Sequence, residues 1–269
     1  MSELFKHCNE LHLHIEKWQK LSPNLTVGFT TKNGGISKAP YDTLNCGLHV
    51  ADTYNEVIAN RTKLADVLKF PLENWVSGEQ VHGTVVKNVD EEAKGKGATS
   101  YQDSIKGTDG LITNKPGILC TAFFADCVPL FFFDPITGYI GIAHAGWKGT
   151  VGGMAKEMIQ KFEAAGVTKS DLLVAIGPCI SGEAYEVDEH VISHISDKYK
   201  KKAVTPKGNN RYLLDLKQLN VEILLQCGVL RNNIDVTNYC TFYDNQLFFS
   251  HRRDNGKTGR MLGYIGYSI

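Results

Sequence analysis

The apolar positions of this chain fall into short runs rather than long amphipathic stretches, and their spacing predicts many short elements. Leu25 to Thr31 reads as a strand ending in the turn Asn33-Gly34-Gly35. Asp52 or Thr53 is placed to cap a helix whose apolar face is Val57, Ile58, Leu64, Ala65 and Leu68, and that face also carries the charged Arg61. Short strands are expected between Trp75 and Val89, around Gln80-Val81-His82-Gly83. The segment from Asp90 to Gly107 is polar, has no periodicity and is long for a connector, which marks it as a candidate mobile loop. Four strand-like runs follow: Asp109 to Thr113, Ile118 to Phe124, Val128 to Phe133 and Tyr139 to His144. Their continuous apolar character suits strands covered on both faces.

After His144, the passage Ala-Gly-Trp-Lys-Gly-Thr-Val-Gly-Gly leads into a helix at about Met154 to Ala164. A second strand and turn follow at Leu172 to Ile176 and Gly177-Pro178-Cys179. Helices are expected at about Asp188 to Tyr199 and Asp215 to Cys227, separated by the basic, polar segment Lys200 to Asn210. Strands near Ile234 to Asn238, Leu247 to Ser250 and Met261 to Tyr267 complete the pattern. No repeat and no low-complexity tract divides the chain, so the expectation is a single α+β domain over 1–269 with mixed β-sheets. Residues 1–24 are expected to form a peripheral N-terminal segment.

Composition narrows the function classes. The 269 residues carry 29 basic and 29 acidic side chains, a formal net charge of zero, which argues against a polybasic nucleic-acid binder. The longest apolar runs, Leu130 to Phe133 and Tyr139 to Ala143, fall far short of the roughly 20 residues that cross a bilayer. The first ten residues resemble neither a secretory signal nor a transit peptide, so a cytoplasmic location is expected, with no membrane partner. Seven scattered cysteines without a Cys-x-x-Cys pair point to reduced thiols rather than a disulfide framework.

One of those thiols stands where chemistry is expected. Cys127, in Ala-Asp-Cys-Val-Pro, lies between two apolar runs, and His144 ends the next run, so a hairpin would bring the two side chains together. Burial alone accounts for most free cysteines, and for Cys127 taken singly. His82 in Gln-Val-His-Gly adds a second imidazole. Two imidazoles and a thiolate make a three-ligand zinc site with an open fourth position, and the same set also accepts copper. A Cys-His hydrolase, with His144 or His82 deprotonating Cys127, uses the same residues without metal. The glycines at 146, 149, 152 and 153 form a candidate anion site before a helix, and tight strand-to-helix packing explains them equally well. Arg61, Arg252, Arg253 and Arg260 are candidate phosphate clamps, since a guanidinium offers a bidentate fork. His190 and His194 have i, i+4 spacing but lack the intervening Glu of a metalloprotease helix. His12-Leu13-His14 is a single His-x-His pair, too few ligands for a multicopper centre.

Four motifs in the same order then carry a family likeness. Gln80-Val81-His82-Gly83, Ala125-Asp126-Cys127-Val128-Pro129, His144-Ala145-Gly146-Trp147, and Phe249 to Asp254 followed by Thr258-Gly259-Arg260 resemble the laccase-domain family, at first labelled polyphenol oxidases and later understood as purine nucleoside phosphorylases with adenosine deaminase activity. The likeness runs from about residue 27 onward and takes in Gly34-Gly35, Leu44-Asn45, Asn60-Arg61, Gly177-Pro178 and Tyr185-Glu186-Val187. It implies β-sheets layered against flanking helices. It also implies His82, Cys127 and His144 as zinc ligands, and phosphorolysis of adenosine, inosine, guanosine and methylthioadenosine to base and (methylthio)ribose 1-phosphate. On this reading Cys127, Asp126, Arg61 and Arg253 are the catalytic candidates, with Asp126 moving protons in deamination. Lys32, Asn45, Arg61, Gly146, Lys148, Arg253 and Arg260 are the candidates for holding substrate or phosphate. Two departures stand out: Lys32 replaces the Arg common before Asn-Gly-Gly, and His251 replaces the Tyr usual before Arg-Arg-Asp. A non-catalytic nucleoside- or metal-binding protein is the alternative from another class.

Overall fold

The computed structural model describes residues 3–268. Among these the strands are β1 (Lys6–His7), β2 (His12–His14), β3 (Leu25–Thr30), β4 (Trp75–Ser77), β5 (Val86–Asn88), β6 (Gly110–Thr113), β7 (Leu119–Phe124) and β8 (Val128–Phe133). They continue with β9 (Ile140–Ala145), β10 (Leu173–Ile176), β11 (Glu186–Asp188), β12 (Val204–Gly208), β13 (Arg211–Leu214), β14 (Ile234–Val236) and β15 (Met261–Tyr267). The helices are α1 (Glu16–Leu21), α2 (Tyr54–Leu68), α3 (Trp147–Gly152), α4 (Met154–Ala164), α5 (Glu189–Ser193), α6 (Asp197–Ala203) and α7 (Leu216–Gln226).

The fold is α+β with mixed sheets, as expected. One six-stranded sheet runs β1-β2-β3-β15-β7-β4, a second runs β14-β10-β8-β9-β6-β5, and β11-β13-β12 forms a small third sheet. Each large sheet combines antiparallel pairs with parallel ones, β4 with β7 in the first, β10 with β14 and β5 with β6 in the second. The apolar runs are buried on both faces, and their alternation shows what each face meets. In β8, Phe131 and Phe133 join the core between the two sheets, while Leu130 and Phe132 face α4 and α7 with Met158, Phe162, Leu219 and Leu224. In β7, Cys120, Ala122 and Phe124 face the second sheet, and Leu119 and Phe123 meet Leu64 of α2 on the outer side. The layers are therefore α2, sheet, sheet, and then α4 with α7. Gly263 of β15 lets the two sheets pack closely, since a Cβ there would lie 2.9 Å from Ile142 Cδ1 of the second sheet.

Several local expectations change. The described part of segment 1–24 is not peripheral: β1 and β2 extend the first sheet, and Phe5, Leu13, Ile15 and Trp18 are buried. The expected helix Asp188 to Tyr199 is two helices, α5 and α6, with Ser196 in extended conformation before the second. The segment Lys200 to Asn210 holds the end of α6 and all of β12. Leu247 to Ser250 forms no strand, and the strands near Gln80 lie on either side of it, as β4 and β5. Asp90 to Gly107 is a tethered segment: Ala93, Ala98 and Ser104 are buried, and the carbonyls of Gly97 and Ala98 accept from Arg61. No helix among the described residues is long and apolar enough to cross a membrane.

Candidate active site

The ends of the two large sheets meet at one cluster. Cys127 immediately precedes β8 and His144 lies near the end of β9, with Pro129 opposite His144 in the antiparallel register. The hairpin thus places thiol and imidazole side by side. His82 comes from the turn between β4 and β5, and one donor atom from each of His82, Cys127 and His144 lies within 4.8 Å of the others. Cys127 Sγ is 4.0 Å from His82 Nε2, and the two imidazole rings meet edge-on, 4.7 Å between centroids.

A residue that sequence reasoning missed holds this cluster in place. The Asp109 carboxylate is buried and accepts hydrogen bonds from the backbone N–H groups of Val81 (3.1 Å), His82 (3.0 Å) and Gly83 (2.9 Å). It also accepts one from His144 Nδ1 at 3.0 Å, which turns the opposite edge of that imidazole toward the thiol. The only sequence signal was an acidic residue heading an apolar strand. Gln80, His82 and Asp126 all take left-handed backbone angles, φ +58°, +62° and +83°, conformations costly for side chains other than glycine. Asp109 fixes the second; Gln80 is held by paired hydrogen bonds of 2.8 Å with the backbone of Phe123. Asp126 accepts from Thr241 Oγ1 (2.6 Å), Ser250 Oγ (3.0 Å) and Arg252 N (2.7 Å).

Electrostatics favour a charged pair. Burial raises a thiol's pKa, but His144 and His82 outweigh it, and the Cys127 thiol falls to about 6. Burial likewise pulls His144 down, and the Cys127 thiolate with the Asp109 carboxylate more than reverses this, to about 9. A thiolate is the form that binds a metal or attacks an electrophile. Gly146 is where the chain must leave room: a Cβ there would lie 2.9 Å from Cys127 Sγ and 3.1 Å from His82 Cδ2.

The cluster opens into a cavity of about 500 Å³. Of the expected substrate-holding residues, Lys148 and Arg260 line it, with Arg252 and His251 beside them. Arg260 Nη1 donates to the carbonyls of Thr258 and Gly259, and burial lowers its pKa from the ordinary value. Arg252 Nη1 donates to Glu186 O and its guanidinium lies 4.9 Å from the centre of the Tyr185 ring. Sequence reasoning also missed the cavity's aromatic side, where His49 packs against Tyr101 and Phe123.

Other expected residues do not reach the cavity. Arg61 is 1% exposed and donates to the carbonyls of Cys46, Gly97 and Ala98, with its guanidinium 4.5 Å from the Phe123 ring centre. Arg253 is spent on Asp254 and on the carbonyls of Thr241, Phe242 and Phe248. Asn45 is fully buried, bonded to Asp52 and accepting from the backbone of Gly47 and Arg260. Lys32 accepts through its carbonyl from the backbone of Thr43 and Leu44, outside the cavity lining. These residues build the walls rather than face the solvent within them. Asp126 does line the cavity, yet both its oxygens are occupied. His190 and His194 are exposed and pack edge-on against Trp147, and His12 is buried against the Tyr264 hydroxyl at 2.7 Å.

The family model described as multi-copper polyphenol oxidoreductase laccase matches residues 26–268. The chain belongs to this laccase-like family. Its relatives in the family include the purine nucleoside phosphorylase YlmD of Bacillus subtilis, 43% identical over 260 residues that make up 94% of each chain. Another, from Staphylococcus saprophyticus and also named a purine nucleoside phosphorylase, is 36% identical over 97% of this chain and 98% of its own. The crystal structure of YlmD from Geobacillus stearothermophilus superimposes with a TM-score of 0.95 at 40% identity over the whole of both chains. That of Bacillus licheniformis hypothetical protein YfiH gives 0.94 at 42% identity over 98% of each. Despite the family's multi-copper description, His82, Cys127 and His144 form the one metal-competent group of this kind among the described residues.

Proposed function

We propose that this laccase-family chain is a zinc-dependent purine nucleoside phosphorylase. Its substrates would be adenosine, inosine, guanosine and methylthioadenosine, cleaved by phosphate to base and (methylthio)ribose 1-phosphate, with adenosine deamination as a further activity. The carrying observation is the His82, Cys127 and His144 group set in the wall of a cavity that also presents Arg252, Arg260 and Lys148. The names of the relatives support the same reading.

The donor set fits zinc: two imidazoles, a thiol already biased to thiolate, a carboxylate orienting one imidazole, and room secured by Gly146. Copper is the alternative ion for the same donors. When bound by these three side chains, the metal would supply Lewis acidity to the cavity. Breaking an N-glycosidic bond leaves positive charge on the ribose and negative charge on the purine, so attacking phosphate needs a cationic cradle. Lys148, Arg252 and Arg260 provide it, in a volume that suits a nucleoside and phosphate together. The rings of Tyr101 and Trp147 in the lining would offer stacking surface for the base. Asp126 holds the loop bearing Arg252, while Arg61 fixes the segment carrying Tyr101. Scattered reduced thiols agree with a cytoplasmic enzyme.

A second reading has its own observation: Cys127, His144 and Asp109 are arranged as nucleophile, base and orienting acid of a metal-free thiol hydrolase. Product chromatography from adenosine and inosine, with and without phosphate, on protein of measured metal content separates the two. Phosphate-dependent release of adenine and hypoxanthine with about one zinc per chain is expected, and Cys127→Ala abolishes metal binding and turnover together. Full phosphate-dependent activity in metal-free Cys127→Ala protein would overturn the zinc-dependent reading, and phosphate-independent product release would overturn the phosphorylase one.

A further inference from the structure

A second cavity, of about 450 Å³, lies behind α3, away from the metal-competent cluster. Its lining is of two kinds. Val151, Ile159 and Ile223 supply an apolar floor, and the Tyr199 ring adds an aromatic wall. Lys156, Lys169 and Lys198 surround that floor against a single acidic residue, Glu163, which is engaged with Lys169 at 2.9 Å. The ammonium groups of Lys156 and Lys198 have no carboxylate partner among the described residues. The excess is two positive charges over an apolar floor, in a space of the size that takes small ligands.

We propose that this cavity is a binding site for a small amphiphilic organic anion, with an apolar or aromatic body on Val151, Ile159 and Ile223 and a phosphate, sulfonate or carboxylate group between Lys156 and Lys198. Burial would contribute affinity through the body and the lysines would select the charge. Cys227 reports on the same space: it is half-buried in the lining, and its thiol is raised by burial and lowered in turn by Lys169, Lys156 and Lys198. The three lysines therefore border one cavity that Cys227 also lines.

The cavity shares α3 with the active site. Trp147 and Lys148 at its start line the metal-side cavity, and Thr150 and Val151 line the second. Thr150 Oγ1 donates to Ala145 O (3.3 Å), one residue beyond His144, and a Cβ on Gly149 would lie 3.1 Å from Gly83 O, one residue beyond His82. An occupant of the second cavity would press on the helix that backs the ligand-bearing segments.

The test does not depend on the phosphorylase reading, because neither readout involves turnover. The probe is 8-anilinonaphthalene-1-sulfonate, titrated by fluorescence, with N-ethylmaleimide labelling of each cysteine followed by peptide mass spectrometry. Saturable binding that protects Cys227 while leaving exposed Cys8 fully reactive is expected. In Lys156→Glu/Lys198→Glu, two exposed positions whose exchange leaves the core intact, binding at this site should weaken by about tenfold or more and the protection should disappear at the same probe concentration. Unprotected Cys227 at saturating probe would overturn the proposal, and so would protection that survives the double charge reversal in a variant whose thermal unfolding matches the parent.

Discussion

Replacing Asp109 by Ala removes the acceptor of four hydrogen bonds at once, three from the backbone of Val81, His82 and Gly83 and one from His144. Buried donors left without partners cost about 1–3 kcal/mol each. Val81 and His82 are exposed, so water can reach their N–H groups and the full penalty falls mainly on the buried His144 side. The expected loss is about 2–4 kcal/mol, a fall in melting temperature of roughly 4–8 °C for a chain of this size. Asp109→Asn separates shape from charge: its amide oxygen can still accept, but its NH₂ would face N–H donors. Both variants should also loosen His144, which predicts about 10- to 100-fold weaker retention of a metal bound at the cluster against a competing chelator. Urea unfolding and chelator competition measure the two effects independently. An Asp109→Ala protein with the parent's unfolding midpoint and chelator resistance would refute the argument that this carboxylate organises the site.

The other expectations are more local. Arg61→Met should cost about 2–4 kcal/mol in urea unfolding, because three buried carbonyls lose their donor, while the KM for phosphate stays near the parent's. Arg260→Met should do the reverse, raising the KM for phosphate about tenfold or more with a small change in unfolding midpoint. His12 is buried beside Tyr264 and its pKa falls from 6.5 to about 4, through burial first and then the neighbouring His14. Between those values the unfolded chain binds a proton that the folded one refuses, so stability is lost as pH falls from 6.5 toward 4, by up to about 3 kcal/mol. Unfolding free energies measured across that range should show a shallower slope in His12→Gln.

The parts of the structure legible in the sequence were those set by a single local pattern. Val128 to Phe133 and Tyr139 to His144 are apolar on both faces because each strand lies between a sheet and a helix layer, and that alone placed Cys127 beside His144. The extent of α2 followed from its apolar spacing. Arg61 shows where such reading stops: a guanidinium on an apolar helix face looks like a ligand clamp until the carbonyls of Gly97 and Ala98, more than thirty residues away, are seen to receive it. Asp109 was hidden for the same reason, since its partners lie 26 to 28 and 35 residues distant and no spacing announces them. The N-terminal strands were missed because β1 and β2 are two and three residues long and take their form from β3.

The position of β15 has a consequence for how the protein comes into being. Among the described residues it follows every other strand, yet it enters the middle of its sheet, between β3 and β7. Until it is synthesised and free to move, β3 and β7 each present an unpaired edge, and the sheet is split into two halves with nothing to join them. Arg260, adjacent to β15, arrives at the cavity in the same late event. A chain in which β15 has not yet paired would therefore carry an unfinished cavity wall and two open strand edges, the kind of state in which aberrant strand pairing competes with folding.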